Sequence, residues 1–281
     1  MLATVGDLVD DIVVRAAGPI RFASDTDAVI ARRRGGSAAN VAAVAARISG
    51  GARFLGQVGD DALGDRLLAD LADDGVDVGC VRRLGRTGSI VVLVDESGER
   101  TFLTDPGDAR TLAVADEAWL DDVDALHIPL YSLSGGAIAT TAEKLVRWAH
   151  WRSIAVSIDL SSLSVIEALG VGEVRRLLGE LAPDVVFANA DEAGVMNIES
   201  PIGRAITIVK AGSGPARVLR EWAPPVEVPA EAIAGVGDTT GAGDAFAAGV
   251  LTYPVWRQDA EAACRAGHRA AAVTLRARNV R

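Results

Sequence analysis

Residues 235–251, GVGDTTGAGDAFAAGVL, hold the densest set of residues that could do chemistry. Turn-forming and small residues come first: Gly235, Gly237, Asp238, Thr239, Thr240, Gly241, Ala242 and Gly243. Ala245, Phe246, Ala247, Ala248, Val250 and Leu251 follow and predict a buried helix. Glycines therefore precede a helix start, where free backbone N–H groups and the positive end of the dipole favour an anion. Asp244 stands at the junction, where a carboxylate would otherwise only cap the helix. Spacing excludes two other phosphate loops. A Walker A loop needs Lys and then Ser or Thr after its last Gly, and neither is present. The dinucleotide fingerprint needs Gly at position 240, which is Thr.

Three further stretches carry polar groups at the ends of predicted strands. Residues 2–6 read as a strand ending at Gly6, and Asp7, Asp10 and Asp11 follow it. A carboxylate there lies at the ligand-binding edge of a parallel sheet or in a solvated turn. Gly35 and Gly36 precede an Ala-rich helix over 38–48, a second helix opened by glycine, with Asn40 one turn in. Asn189 and Glu192 follow the strand 184–188. They suit either hydrated Mg²⁺ or a helix cap with Glu in the first turn. Residues 207–218 read as strand, turn, strand, with Lys210, Gly212 and Gly214 at the turn.

DTTGAGD followed by AFAAG resembles the C-terminal signature of the ribokinase-like (PfkB) carbohydrate kinases. GGSAANVA, then Ser49 and Gly59, is similar to the N-terminal signature of that family, and the two occur in the family's order. The resemblance covers essentially the whole chain. It implies that Gly241, Ala242 and Gly243 form an anion hole for the transferred phosphoryl group, and that Asp244 takes the proton from the acceptor hydroxyl. It places Asp11, with Asp10 as the alternative, and Gly36, Ser37 and Asn40 against the sugar. Tyr131 stands where some members carry an acidic sugar ligand, and Ser37 where ribokinases carry Lys. Asn189, Lys210, Gly212, Gly214, Thr239 and His268 fall on the ATP side, and Glu192 on Mg²⁺ through water. Asp238 and Thr240 lie near the family's monovalent-cation (K⁺) site, but the final RARNVR lacks the loop that completes it. The implied reaction is ATP-dependent transfer to a hydroxyl, usually primary, of a small sugar.

The elements that must position these residues alternate. After Pro106, strand-like runs over 124–130, 154–160, 184–188 and 206–210 are separated by helical segments, and a final Ala-rich helix spans 258–276. That pattern is α/β with a mostly parallel central sheet, and right-handed crossovers bring the strand ends to one edge. Residues 64–78 read as an amphipathic helix ending at Gly75, and 87–104 as a hairpin turning at Ser97-Gly98. Segments 12–34 and 86–105 resemble the small β-sheet lid of the ribokinase-like three-layer α/β/α fold, within one kinase domain over 1–281. Such a lid excludes water from the transfer and offers a surface for a homodimer.

The chain has 281 residues, 49% hydrophobic and 23% charged, the composition of an ordinary globular protein. A net charge of −10 disfavours nucleic acid as a partner. Arg32, Arg33 and Arg34 read as a solvated edge, although with Arg82, Arg83 and Arg86 they could hold a phosphorylated substrate. No apolar run reaches the ~20 residues of a membrane span. The N-terminus has no basic region ahead of its apolar residues, so the expectation is a cytoplasmic protein. Cys80 and Cys264 read as reduced thiols, and His127, His150 and His268 are too scattered for a zinc site. Two other readings stand beside the sugar kinase. A nucleoside kinase of the same family would stack its base on Phe22 or Phe102, and a sugar-binding regulator would need a damaged catalytic loop.

Overall fold

The computed structural model describes residues 1–95, 100–233 and 239–279. The expected turn at Ser97-Gly98 and the loop residues Gly235, Gly237 and Asp238 lie outside them. In chain order the first elements are β1 (Leu2–Gly6), β2 (Val9–Ala16), β3 (Ala28–Gly35), α1 (Ser37–Ser49), β4 (Ala52–Val58) and α2 (Ala62–Asp73). Two short strands, β5 (Val76–Asp77) and β6 (Arg82–Arg83), precede β7 (Ser89–Val94), β8 (Arg100–Asp105) and β9 (Ala125–Pro129). Then come α3 (Gly136–Trp151), β10 (Ala155–Asp159), α4 (Leu163–Leu169), α5 (Val171–Leu181), β11 (Val185–Asn189) and α6 (Ala190–Val195). The chain closes with β12 (Ile206–Lys210), β13 (Ala216–Leu219), β14 (Val226–Val228), α7 (Ala242–Leu251) and α8 (Ala260–Asn279).

Among the described residues the central sheet runs β14-β13-β12-β11-β10-β9-β1-β4-β5, with β6 on β4. It is parallel from β12 to β5, and β13 and β14 add an antiparallel edge. The inner strands β1, β9 and β10 are buried along their length and mostly apolar because helices cover both faces. Phe54, Phe187 and Phe246 build the core on the face of α1, α7 and α8, and Leu126, Ile158 and Leu145 the core beneath α3 and α5. His127 lies inside the sheet, with Nδ1 2.9 Å from Ser157 Oγ. Burial pushes its imidazole down to about 4, so it stays neutral.

Glycine lets α7 and α8 approach. A Cβ on Gly249 would sit 2.7 Å from the Ala266 carbonyl, and one on Gly267 2.9 Å from the Phe246 carbonyl. This contact, with the alanines of α1 against α7, sets where the N-terminus of α7 lies.

The small sheet is separate, in the order β3-β2-β7-β8. Its outer pairs are antiparallel and its central pair, β2 with β7, is parallel. Residues 12–34, irregular in sequence, thus supply most of two strands, with Gly18-Pro19 in the loop between them.

Candidate active site

One cleft of about 1120 Å³ lies at the C-terminal ends of the central strands and beneath the small sheet. The glycine loop enters it as expected. Gly241 takes a left-handed conformation (φ 76°) as the N-cap of α7, with no side chain capping the helix. Gly241, Ala242 and Gly243 line the cleft with their backbone, and Asp244 sits in the first turn. Ser37 Oγ donates to Asp244 Oδ1 at 2.8 Å and Asn40 Nδ2 to Oδ2 at 2.9 Å. Both donors come from the first turn of α1, so the two signature helices meet at one carboxylate. Burial pushes Asp244 up to about 6; the bonds from Asn40 and Ser37 oppose this, and the negative charge of Asp159 adds to it.

Lys210 ends β12 and its Nζ lies 2.6 Å from Asp159 Oδ2, at the end of β10. Burial works against the ammonium, yet Asp159 outweighs it and the Lys210 pKa rises. A Cβ built on Gly243 would stand 3.4 Å from that Nζ, so the ammonium and the loop are direct neighbours. Asn189 and Glu192 form a reciprocal capping box at the start of α6. Glu192 accepts from the Asn189 amide nitrogen and backbone N–H, both at 2.8 Å, and its own N–H donates back at 2.8 Å. Burial, then Asp159, pushes Glu192 up to about 7.

The three early carboxylates separate by role. Asp11 lines the cleft from β2. Asp10, the alternative to it, is fully buried and closes on Arg32 at 2.9 Å and Arg66 at 2.5 Å, holding the small sheet to α2. Asp7 lines the cleft as well, and burial raises its pKa against the pull of nearby backbone N–H groups, including Ala38 and Ser37. The glycine-opened start of α1 therefore already faces a carboxylate of this chain. That disfavours a free anion there.

The description pfkB family carbohydrate kinase matches residues 1–281. The chain belongs to this family. It is 33% identical over 264 residues to an ATP-dependent ribose-1-phosphate kinase of Halopiger xanaduensis, covering 89% of this chain and 84% of the relative. A fructokinase of Vibrio alginolyticus is 28% identical over 236 residues, covering 77% of this chain and 75% of the relative. The crystal structure of adenosine kinase from Sinorhizobium meliloti superposes with a TM-score of 0.84 at 25% identity, over 98% of this chain and 93% of that one. The protein is a carbohydrate kinase, and its fold is the ribokinase-like one.

Most residues expected at the kinase site meet in the cleft: Asp11, Gly36, Ser37, Asn40, Tyr131, Asn189, Glu192, Lys210, Gly212, Thr239, Thr240, 241–244 and His268. Gly214 does not line it; its N–H closes the turn onto the Ala211 carbonyl at 2.8 Å. His268 Nε2 faces the Val228 carbonyl at 3.0 Å and its ring meets Phe246 edge-on, so it is tied into the wall. The expected monovalent-cation pair is divided. Asp238 is outside the described residues, and the Thr240 hydroxyl accepts from Arg100 of β8. Of the two aromatic candidates, Phe102 lines the cleft and Phe22 is 99% exposed outside it. Asp159 and Arg100 were not anticipated as site residues, and Asp7 stood only among the carboxylates that follow the first strand. Asp159 ends a central strand, the same signal that marks Asn189, and could have been found that way. Arg100 could not, because its reach to Thr240 spans 140 positions.

Proposed function

We propose that this kinase transfers the γ-phosphoryl group of MgATP to a hydroxyl, usually primary, of a small sugar, with Asp244 as general base. The observation that carries the reading is the Asp244 carboxylate, buried at the glycine-opened start of α7 and oriented by Ser37 and Asn40. A base works best with a pKa close to working pH, and about 6 suits the task. The acceptor proton passes to Asp244 as the hydroxyl oxygen attacks the γ-phosphorus. The bond to ADP breaks and the phosphoryl group moves to the sugar oxygen. The amides of residues 241–243 face the charge that develops, and Lys210 stands beside them.

The residues present fit MgATP. Gly241 and Gly243 leave the loop backbone bare beside Lys210, and the hard oxygens of Glu192 and Asp159 in the cleft suit a hydrated Mg²⁺. Asp11, Asn40 and Tyr131 supply hydrogen-bonding groups for a polyhydroxy acceptor. The nucleoside reading keeps Phe102 as its stacking surface, and the adenosine kinase neighbour favours including it in the test.

A coupled ADP-release assay over sugars and nucleosides tests both readings. The expected result is turnover of a sugar, lowered roughly 10²–10⁴-fold in Asp244→Asn with ATP binding retained. Wild-type turnover in that variant would remove Asp244 from the role of base.

A further inference from the structure

Of the six arginines that the sequence offers for an anionic substrate, none lines the cleft and four are engaged elsewhere. Arg32 closes on Asp10, Arg34 on Asp74, Arg83 on Asp60 and Asp65, and Arg86 on Asp105. Inside the cleft, Lys210 is held by Asp159. Arg110 differs. It lines the cleft, is exposed there, and makes no side-chain hydrogen bond or ion pair among the described residues. Its charge acts on Asp7, which lines the same cleft.

The turn that presents Arg110 is rigid. It is a short 3₁₀ turn, Ala109–Thr111, bolted by buried polar side chains on both sides. Gln57 Nε2 donates to the Asp108 carbonyl at 2.8 Å and to Thr111 Oγ1 at 2.7 Å. Thr141 Oγ1 donates to the Leu112 carbonyl at 2.8 Å. The start of α3 packs against this turn: a Cβ on Gly136 would lie 2.7 Å from the Arg110 carbonyl, and Gly135 caps the helix without a side chain. A guanidinium that lines the cleft from a clamped turn, with no hydrogen-bond or ion-pair partner among the described residues, is available to a negative group. The hydroxyls of Tyr131 and Ser162 line the same cleft and can share its oxygens.

We infer that the acceptor sugar carries an anionic substituent, a phosphate ester or a carboxylate, and that Arg110 is the residue that selects it. The inference rests on the kinase reading above and narrows its substrate class.

The test uses the full chain and two readouts. Coupled turnover gives kcat/KM for ribose and fructose, for ribose 1- and 5-phosphate and fructose 6-phosphate, and for gluconate as the carboxylate arm. Calorimetry without ATP gives the affinity for the same compounds. The wild type should prefer an anionic compound at least roughly tenfold over the neutral sugars. Arg110→Ala should lower that anionic-to-neutral ratio roughly 10–100-fold in both readouts, the scale of a lost charge-assisted hydrogen bond, with Arg110→Lys recovering part of it. Preference for phosphates over gluconate identifies an ester, and the reverse identifies an acid. Arg110 is exposed, so its removal leaves folding intact. Equal use of charged and neutral acceptors, or an unchanged ratio in Arg110→Ala, overturns the inference. If no compound is phosphorylated, the transfer reading falls, and the calorimetric ratio still decides the role of Arg110.

Discussion

Asp244 and Glu192 are carboxylates that titrate near neutrality, one pushed up to about 6 and the other to about 7, in both cases first by burial. For Asp244 this has two measurable consequences of opposite sign. In the proposed role of base it must be ionised, so kcat/KM should fall as pH drops through about 6. Stability runs the other way. The folded chain keeps the Asp244 proton up to about 6, whereas the unfolded chain releases it near the ordinary carboxylate value of 3.8. The native state therefore binds more protons in that window, and this residue's contribution to stability falls as pH rises through it. Asp244→Asn removes the effect, so its Tm relative to wild type should climb between those two pH values and then level off. Scanning calorimetry of both proteins from acid to neutral pH checks this, and a constant difference would contradict the raised pKa.

At the scale of elements, helix starts do most of the work, and their differences follow from what caps them. The start of α1 faces Asp7, that of α7 is left to glycine, and that of α6 is closed by the Asn189–Glu192 box. The box does not remove Glu192 from metal binding, because a carboxylate has more lone-pair sites than its two bonds from Asn189 occupy. Both residues line the cleft. Glu192→Gln keeps the size of the side chain and an oxygen acceptor while removing a charge. A Mg²⁺ titration of the rate should shift to higher concentration, with the sugar KM little changed. Overlay of the two titrations would leave Glu192 as a cap alone.

For the whole molecule, the small sheet decides how the cleft meets solvent and other chains. Its inner side contributes Val9, Asp11, Ile90 and Thr104 to the cleft, and Arg100 ties β8 to the glycine loop through Thr240. Its edge strand β3 also exposes two apolar side chains, Val29 at 71% and Ile30 at 64%. An exposed edge strand bearing such residues pairs readily with another chain. We expect two copies to associate through this sheet. Sedimentation at micromolar concentration should then give a dimer, and Val29→Asp with Ile30→Asp should give a monomer. A monomeric wild type would leave the sheet as a lid without a partner. Among the described residues no helix is long and apolar enough to cross a membrane.

The sequence alone determined the α/β alternation, both glycine-opened helices and the position of Asp244 at the second, because these are local. Apolar period, a Gly before a helix and a carboxylate at a strand end are written in neighbouring residues. The strand run 206–210 matches β12 residue for residue, and 124–130 and 154–160 each overrun β9 and β10 by one residue at either end. Only the tertiary structure decided which charges are available. Asp7, Asp10 and Asp11 are near neighbours in sequence, yet Asp10 is closed by arginines from β3 and α2, Asp7 meets the start of α1, and Asp11 lines the cleft. The arginines of 32–34 and 82–86 read as a solvated edge or a phosphate site, but Arg32, Arg34, Arg83 and Arg86 are in ion pairs. Ser37 and Asn40 orient the Asp244 carboxylate 207 and 204 positions away, and Arg100 reaches Thr240 across 140. A charge takes its partner from whichever element the fold packs beside it. That choice depends on the crossovers of the sheet and on the close approach at Gly249 and Gly267, which no local pattern records.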